Sequence, residues 1–292
     1  MCLRYDLIFI VHFTSKILER LFLACILFHI TLSPSFNQYH TTATIPPKHP
    51  FFTPHSILLS SDSGKSNIVI SLNLSAAFDT IDHQILLSYL NTSFAISDTT
   101  LSWLQSNLTN RISSVPIGCH CSSSVTCTTG VPQGSILGPL LFTAYISPIA
   151  GVAHFHNINQ QQYTDDTQLF ISLSPSDYMH DLDNLTRCID SLHIWFCANG
   201  MDLNPDKSEA ILLGTRQRAH SYSSLATVNV TGSQIPLADH IKILGVTLDK
   251  NLSMNNHVNA ICKSVHYHIC ALHHICSSIS EDMTKMVACA LA

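Results

Sequence analysis

An almost continuous apolar run, NIVISLNL, occupies residues 67–74 and sets strict limits on the fold. It is rich in β-branched residues and lacks regular polar alternation, a pattern typical of a strand buried on both faces. We expect this strand to lie centrally in a sheet. The following segment, SAAFDTIDHQILLSYL, changes to helical spacing, with four apolar residues on one face: Ile81, Ile85, Leu86 and Leu90. The sequence therefore predicts a strand, a tight turn and a helix.

The next hundred residues predict further alternation of helices and strands. A helix is expected over Asp98–Leu108, with Asp98 as its N-cap, followed by short strands near 112–117 and 123–128. The segment GVPQGSILGPLLFTAYI then combines a Gly- and Pro-rich loop with an apolar helix that starts near Ser135. A loop that opens onto a helix N-terminus can bind phosphate.

The segment INQQQYTDDTQLFIS predicts two strands joined by a tight turn that carries Asp165 and Asp166. Two adjacent carboxylates on a turn can hold divalent cations through oxygen ligands, as phosphoryl transfer requires. Taken alone, an Asp-Asp pair in a turn more often reflects the preference of aspartate for turns. The metal interpretation therefore depends on the rest of the sequence.

Two apolar runs precede these elements, at Leu7–Phe13 and Leu21–Leu32, divided by Lys16, Glu19 and Arg20. Neither run reaches the roughly 20 apolar residues that a membrane-spanning helix needs, and the pattern favours a buried helix pair over an anchor or signal. Five prolines then predict an irregular segment over 33–56, with a new domain after it: Pro34, Pro46, Pro47, Pro50 and Pro54.

Composition favours a globular protein inside the cell. The chain has 292 residues, of which 46% are hydrophobic, and its 11 cysteines follow no regular spacing, so we expect reduced thiols in the cytoplasm or nucleus and not secretion. Lys and Arg number 14 against 19 Asp and Glu, a net charge of -5. This balance predicts no general attraction to nucleic acid and counts against a polymerase.

The order of segments nonetheless resembles the reverse transcriptase family of non-LTR, LINE-like retrotransposons. Five segments resemble the palm motifs in order, and one resembles the fingers: LNLSAAFDTIDHQILL, TTGVPQGSILGPLLF, QQYTDDTQLFIS, WFCANGMDLNPDKSEAILLGT and IKILGVTLDKNLSMNNHV, with TSKILER in the fingers. The resemblance implies an α/β (α+β) right-hand polymerase palm with an antiparallel sheet and helices on one face. It divides the chain into degraded fingers at 1–66, a palm at 67–253 with a fingers-side insertion at about 91–130, and a truncated thumb at 254–292.

The resemblance also implies roles for individual residues. Asp165 and Asp166 would bind the catalytic metal pair. Phe78 stands where the family has a bulky gate against the ribose 2'-hydroxyl, although such an aromatic is also common in cores. Gln133 and Gly134 would contact the incoming nucleotide and the template, since glycine lets backbone approach closely.

Lys207 matches the family residue thought to protonate the leaving pyrophosphate, although most lysines are simply solvated. Two other positions depart from the pattern. Asn73 replaces an aspartate that is a primary metal ligand, and Asn37 replaces an arginine expected to hold the triphosphate. An amide oxygen can still coordinate a metal but brings no negative charge, so we expect most polymerase activity to be lost.

The ancestral reaction implied by the resemblance is synthesis of DNA on an RNA template, from a DNA primer and deoxynucleotides, with Mg²⁺ or Mn²⁺. The alternative is a noncatalytic, decayed remnant with at most weak nucleic-acid binding. Within CKSVHYHICALHHIC, cysteine or histidine stands near positions where the family commonly has arginine: Cys270, His274 and Cys276. Such changes are the outcome of C-to-T transitions at CpG in arginine codons, and they would lower phosphate affinity.

Metal binding by cysteine and histidine is a competing interpretation. Helical spacing puts four soft ligands on one face: Cys262, His266, Cys270 and His273. They would span about 16 Å on one straight helix at 1.5 Å per residue, too far for one tetrahedral ion. The segment Cys119–Cys121, with Cys127, is too irregular for a zinc ribbon. No zinc site is therefore expected.

Overall fold

A computed structural model describes residues 13–36, 40–41, 60, 62–109, 111–114, 116–117, 120–132, 134–222 and 224–291. The apolar run before Phe13, Asn37 and Gln133 lie outside the described residues. The helices are α1 Phe13–Leu32, α2 His83–Thr92, α3 Asp98–Leu108, α4 Gly138–Ile146, α5 Ile149–Phe155, α6 Tyr178–Ala198, α7 Arg216–Ala219, α8 Asn255–Ile275 and α9 Glu281–Leu291, with 3-10 turns at Pro205–Lys207, His220–Tyr222 and Cys276–Ser278. The strands are β1 His40–Thr41, β2 Ser66–Leu72, β3 Leu74–Ser75, β4 Ile112–Ser113, β5 Pro116–Ile117, β6 His120–Cys121, β7 Val125–Thr126, β8 Asn159–Tyr163, β9 Asp166–Leu173, β10 Asp202–Leu203, β11 Glu209–Leu213, β12 Thr227–Val230, β13 Ser233–Pro236, β14 His240–Ile243 and β15 Val246–Asp249.

The main sheet has five strands in the order β1-β8-β9-β2-β11. β2 is an interior strand that pairs antiparallel with both β9 and β11, and only the short β1 is parallel to its neighbour β8. Ile68, Val69 and Ile70 on β2 are all 0% exposed, because both faces of the sheet are covered at this strand. The predicted strand with two buried faces is confirmed.

The two faces of the sheet are covered by different kinds of element. Ile68, Ile70 and Leu72 belong to the large core cluster that includes the apolar sides of the helices. Val69 and Ile211 on the opposite face pack instead with residues of the β14–β15 hairpin. The predicted palm-like arrangement, an antiparallel sheet with helices on one face, is therefore confirmed.

Several predicted boundaries are wrong because side-chain caps and backbone turns override helical spacing. The helix after β2 begins only at His83, where Asp82 accepts hydrogen bonds from two backbone N–H groups, and Ala76 has a φ of +51°. The helix at 98–108 has the predicted bounds, but its N-cap is Ser97. The apolar helix expected near Ser135 begins at Gly138.

Three predictions outside the palm sheet also need correction. Lys16, Glu19 and Arg20 do not divide two helices but lie inside α1, since all three residue types have good helix propensity. α1 buries Ile26 and Ile30 but leaves other apolar side chains exposed: Ile17, Leu18, Leu21, Phe28 and Leu32. Within the segment expected to be irregular, β1 pairs with β8.

The predicted strands at 112–117 and 123–128 are replaced by four two-residue strands, in which β4 pairs with β7 and β5 pairs with β6. Elsewhere, Gly138–Phe155 has the length and apolar character of a membrane span, but 61% of this stretch is buried inside the protein, as is common for core helices. Two helices, α8 and α9, follow the β14–β15 hairpin, and the fingers, palm and thumb boundaries stay predictions.

Candidate active site

The aspartate pair lies on the turn between β8 and β9, as the sequence predicts. Thr164 and Asp165 form the turn, and Asp166 begins β9. The side-chain amide of Gln162 donates to the Thr164 carbonyl oxygen at 3.2 Å and to the hydroxyl oxygen of Thr167 at 2.9 Å. These bonds fix the turn, so both carboxylates project from a rigid element.

Asn73 lies at the same end of the sheet. The last pair in the register between β2 and β9 is Leu72 with Thr167; Asn73 directly follows Leu72, and Asp166 directly precedes Thr167. The fold therefore brings Asn73 and the two aspartates together across more than 90 residues of sequence.

The backbone of Asn73 is held from its other side by the segment before β11. The Asn204 N–H donates to the Asn73 carbonyl oxygen at 2.8 Å, and the Asn73 N–H donates to the hydroxyl oxygen of Ser208 at 3.1 Å. The 3-10 turn between these two partners contains Lys207, whose side chain is exposed. Lys207 thus lies at the same sheet end, and its proposed acid role stays a prediction.

Phe78 packs against the loop that precedes α4. Its ring centroid lies 4.8 Å from that of Phe142, and its carbonyl oxygen accepts a hydrogen bond from the Val131 N–H at 2.9 Å. Gly130 has a φ of +83°, and a Cβ there would lie 3.1 Å from the Asp79 carbonyl oxygen. Phe78 is half-buried, so it both contributes to the core and presents an edge to solvent.

Gly134 lies farther along this loop, with a φ of +82° and open space where a Cβ would be. The turn around it is closed by the Ser135 N–H, which donates to the Pro132 carbonyl oxygen at 3.0 Å. Its positive φ explains why glycine occurs here. Contacts of Gly134 or Gln133 with a nucleotide stay predictions, and Gln133 lies outside the described residues.

Glu19 is a buried residue that sequence reasoning missed. Although it belongs to α1, its side chain is 0% exposed and its Oε2 accepts hydrogen bonds from the Ser135 hydroxyl at 2.8 Å and the Ile136 N–H at 2.6 Å. A third bond comes from the Leu137 N–H at 3.4 Å. The carboxylate therefore fixes the loop at the N-terminus of α4, where negative charge is favourable.

Arg111 interacts electrostatically with this buried carboxylate. Burial lowers the pKa of Arg111 from its ordinary value, while the negative charge of Glu19 opposes that change. The segment TSKILER is the sequence signal that could have drawn attention to Glu19, because one acidic residue there interrupts an otherwise apolar helix face.

At the turn, the negative charge of Asp165 acts on the partly buried carboxyl group of Asp166. Burial raises the pKa of Asp166, and the neighbouring charge of Asp165 raises it further. Hard oxygen donors that repel one another in a partly buried turn match the ligand preference of Mg²⁺ and Mn²⁺. The residues present therefore fit divalent cations, and Asn73 would add a neutral oxygen; the metal-binding roles of all three stay predictions.

Comparisons with known proteins bear on this arrangement. The family model described as "Reverse transcriptase (RNA-dependent DNA polymerase)" matches residues 7–248. The chain is 27% identical over 208 residues to the retrovirus-related Pol polyprotein from type-1 retrotransposable element R2 of Popillia japonica, covering 66% of this chain and 32% of that protein. It is 26% identical over 232 residues to the probable RNA-directed DNA polymerase from transposon BS of Drosophila melanogaster, covering 77% and 24%. The chain thus spans about a third or less of these relatives.

Solved structures agree on the fold. Apo telomerase from Candida tropicalis, truncated from its C-terminal domain, superposes with a TM-score of 0.54 at 12% identity, covering 83% of this chain and 44% of that one. Telomerase from Candida tropicalis in complex with a fragment of telomeric RNA gives the same TM-score, covering 84% and 37%. The family match covers most of the chain, including every segment that carries the candidate site. The chain therefore belongs to the reverse transcriptase (RNA-dependent DNA polymerase) family, as a domain of the non-LTR retrotransposon type.

Proposed function

We propose that this chain is the polymerase core of an enzyme that copies RNA into DNA, in a copy whose activity is strongly reduced by Asn73. The supporting observation is the register between β2 and β9, whose last pair, Leu72 with Thr167, is directly followed by Asn73 on one strand and preceded by Asp166 on the other. This is where the family pattern has a third carboxylate. The partners of this enzyme would be an RNA template, a DNA primer and deoxynucleotides.

Asp165, Asp166 and the side-chain oxygen of Asn73 would hold Mg²⁺ or Mn²⁺. Bound divalent cations supply neutralisation of the charge that develops on the attacking and leaving oxygens during nucleotidyl transfer. The raised pKa of Asp166 supports this assignment, because a cation would relieve the repulsion between the two carboxylates. With asparagine at position 73, the site has one negative charge fewer for holding these cations than the family pattern provides.

The other candidate residues would position the substrates. The exposed edge of Phe78 would exclude a ribose 2'-hydroxyl, and the loop with Gln133 and Gly134 would contact the incoming nucleotide and template. The Glu19 carboxylate holds the end of that loop by accepting hydrogen bonds from Ser135, Ile136 and Leu137. Lys207 would donate a proton to the leaving pyrophosphate from the neighbouring turn.

Primer extension with and without the lost carboxylate tests this proposal. Purified chain and an Asn73→Asp variant receive an RNA template, a DNA primer, deoxynucleotides and Mg²⁺ or Mn²⁺. Because the backbone of residue 73 is fixed on both sides, we expect the new carboxylate to take the place of the amide. Extension should rise by about a hundredfold or more, equivalent to roughly 2.7 kcal/mol of transition-state stabilisation.

A double variant, Asn73→Asp with Asp165→Asn, is the matched control, since it has the same net charge as the natural chain. We expect it to remain as inactive as the natural chain. Robust extension by the unmodified chain would contradict the proposed impairment.

The noncatalytic alternative has its own supporting observation in the net charge of -5, which disfavours tight phosphate binding. It predicts that the Asn73→Asp variant folds but does not extend, because losses such as Asn37 also limit the chain. A gel shift with a template-primer duplex at rising salt measures any remaining binding. Affinity that falls steeply with salt would indicate that phosphate contacts persist.

A further inference from the structure

A second cluster of metal-ligating side chains lies at the end of α6, outside the candidate active site. It consists of His193 and Cys197 on the helix and Asp202 at the start of β10. One ligand atom from each side chain lies within 4.8 Å of the others, the only such group of three among the residues the structure describes. The thiol sulfur of Cys197 is 3.7 Å from Nδ1 of His193.

Local structure explains why these residues meet. Positions 193 and 197 are four apart, so they are neighbours on one helix face. The helix then ends in a tight turn in which Gly200 has a φ of +75° and the Met201 N–H donates to the Phe196 carbonyl oxygen at 2.9 Å. This turn reverses the chain and returns Asp202 to the side of the last helical turn.

Asn199 makes the turn rigid. It is only 5% exposed, its side-chain oxygen accepts from the Tyr89 hydroxyl at 2.9 Å, and its carbonyl oxygen accepts from the Tyr145 hydroxyl at 2.8 Å. Its side-chain amide donates to the Trp195 carbonyl oxygen at 2.8 Å. Asp202 is fixed in turn by pairing with Ser75. The scaffold that carries the three ligands is therefore preorganised by the core.

We propose that His193, Cys197 and Asp202 bind Zn²⁺, with the fourth tetrahedral position open to water. Imidazole nitrogen, thiolate sulfur and carboxylate oxygen are the donors that zinc takes, at about 2.0–2.3 Å. Those bond lengths put tetrahedral ligand atoms roughly 3.5 Å apart, so side-chain rotations suffice to close the site. Cys197 binds as the thiolate, and its proton is released to solvent.

This site departs from the expectation of no zinc, which considered four-ligand patterns along α8 and at Cys119–Cys127. A zinc ion here would tie the end of α6 to the β10–β3 pair. That pair continues directly from Asn73, so the ion would brace the backbone beside the candidate active site. The proposal rests on the three side chains alone and is independent of polymerase activity.

The test uses the full chain, stripped of metal with a chelator and kept reduced, with Co²⁺ as a spectroscopic probe and Zn²⁺ as competitor. We expect near-ultraviolet absorption from a cobalt-thiolate bond that saturates at about one equivalent and disappears on addition of Zn²⁺. The Cys197→Ser variant should lose this absorption. Asp202→Asn should weaken Zn²⁺ binding about tenfold or more.

The chain offers a matched control in His266 and Cys270, a second histidine–cysteine pair four residues apart, with the Cys270 sulfur 3.6 Å from Nε2 of His266. That pair belongs to no three-ligand group among the described residues. Cys270→Ser should therefore leave the cobalt absorption unchanged. Persistence of the absorption in Cys197→Ser, or its equal loss in Cys270→Ser, would overturn the proposal. Because Cys197 is exposed, its replacement should leave metal-free thermal unfolding unchanged.

Discussion

Strand β2 and helix α8 are both rich in apolar residues, yet only the strand buries them. Ile70 on β2 is 0% exposed, whereas Ile269 on α8 is 60% exposed and no residue of α8 is buried. β2 has a covering layer on each face, while α8 packs mainly along β15 and α9. The difference teaches that apolar content alone does not identify the core of this chain, because burial depends on which layers pack against it.

The largest expected effect comes from removing apolar volume on each side of this comparison. Ile70→Ala should lower the free energy of unfolding by about 2–5 kcal/mol, because it leaves a cavity between the sheet and the helices. Ile269→Ala should change it by less than about 0.5 kcal/mol, as is usual for exposed positions. Urea unfolding followed by circular dichroism measures both, and equal losses would abolish the distinction.

Glu19 is the converse case, because it is an acidic residue that is nevertheless fully buried. Glu19→Ala leaves the Ile136 and Leu137 N–H groups without their acceptor, so we expect a loss of about 1–3 kcal/mol in the free energy of unfolding. Glu19→Gln keeps one acceptor oxygen and should lose less. Glu281→Gln on α9 is the control, because Glu281 is exposed and pairs with Lys285 one helical turn away. A Glu19→Ala variant as stable as this control would contradict the buried role.

Asp249 is the last residue of β15, the strand that precedes α8. It holds the turn that leads into α8, since its carboxylate accepts from the Ser253 and Met254 N–H groups at 3.0 and 2.8 Å. Burial alone would raise its pKa, but these and further hydrogen bonds together hold the pKa of Asp249 below its ordinary value of 3.8. Asp249→Asn replaces one accepting oxygen with an amide nitrogen that cannot accept, and should cost about 1 kcal/mol of unfolding free energy at pH 7.

The pH dependence of this effect follows from the lowered pKa. The carboxylate contributes its full stabilisation above pH 3.8 and loses it as the pH falls through the lower folded-state pKa. The difference between the natural chain and Asp249→Asn should therefore shrink below about pH 3.8. Asp239→Asn is the comparison, because the exposed Asp239 also has a lowered pKa, from its hydrogen bond to Lys250 and the charge of Lys250; its effect should likewise fall with pH but should weaken with added salt. A difference that stays constant down to pH 2 would contradict the assignment.

The smallest expected effect is a gain in stability at the aspartate turn. Because the pKa of Asp166 is raised in the folded state, its contribution favours folding below the ordinary value of 3.8 and is lost as the pH rises through the folded-state pKa. Asp166→Asn should thus raise the melting temperature slightly at pH 7 without divalent cations. Added Mn²⁺ should stabilise the natural chain more than the variant. The same response to Mn²⁺ in both would argue against Asp166 as a ligand.

Local sequence signals predicted the elements that frame the site. The apolar run at 67–74 predicted β2, and the turn with Asp165 and Asp166 predicted the β8–β9 hairpin, since both signals act over a few neighbouring residues. The departure at Asn73 was also visible in the sequence. Helix starts at His83 and Gly138 were missed, because caps and left-handed backbone positions set them rather than helical spacing.

The sequence by itself therefore determined the family, the buried strand and the candidates for the site side chains, because these depend on periodicity and motif order. Only the tertiary structure decided which distant residues meet. The register between β2 and β9 that ends beside Asn73 and Asp166, the hydrogen bonds of Glu19 to the loop before α4, and the pairing of Asp202 with Ser75 all depend on contacts between residues far apart in the sequence. Such pairing is fixed by strand register and core packing, and no local pattern in the sequence encodes it.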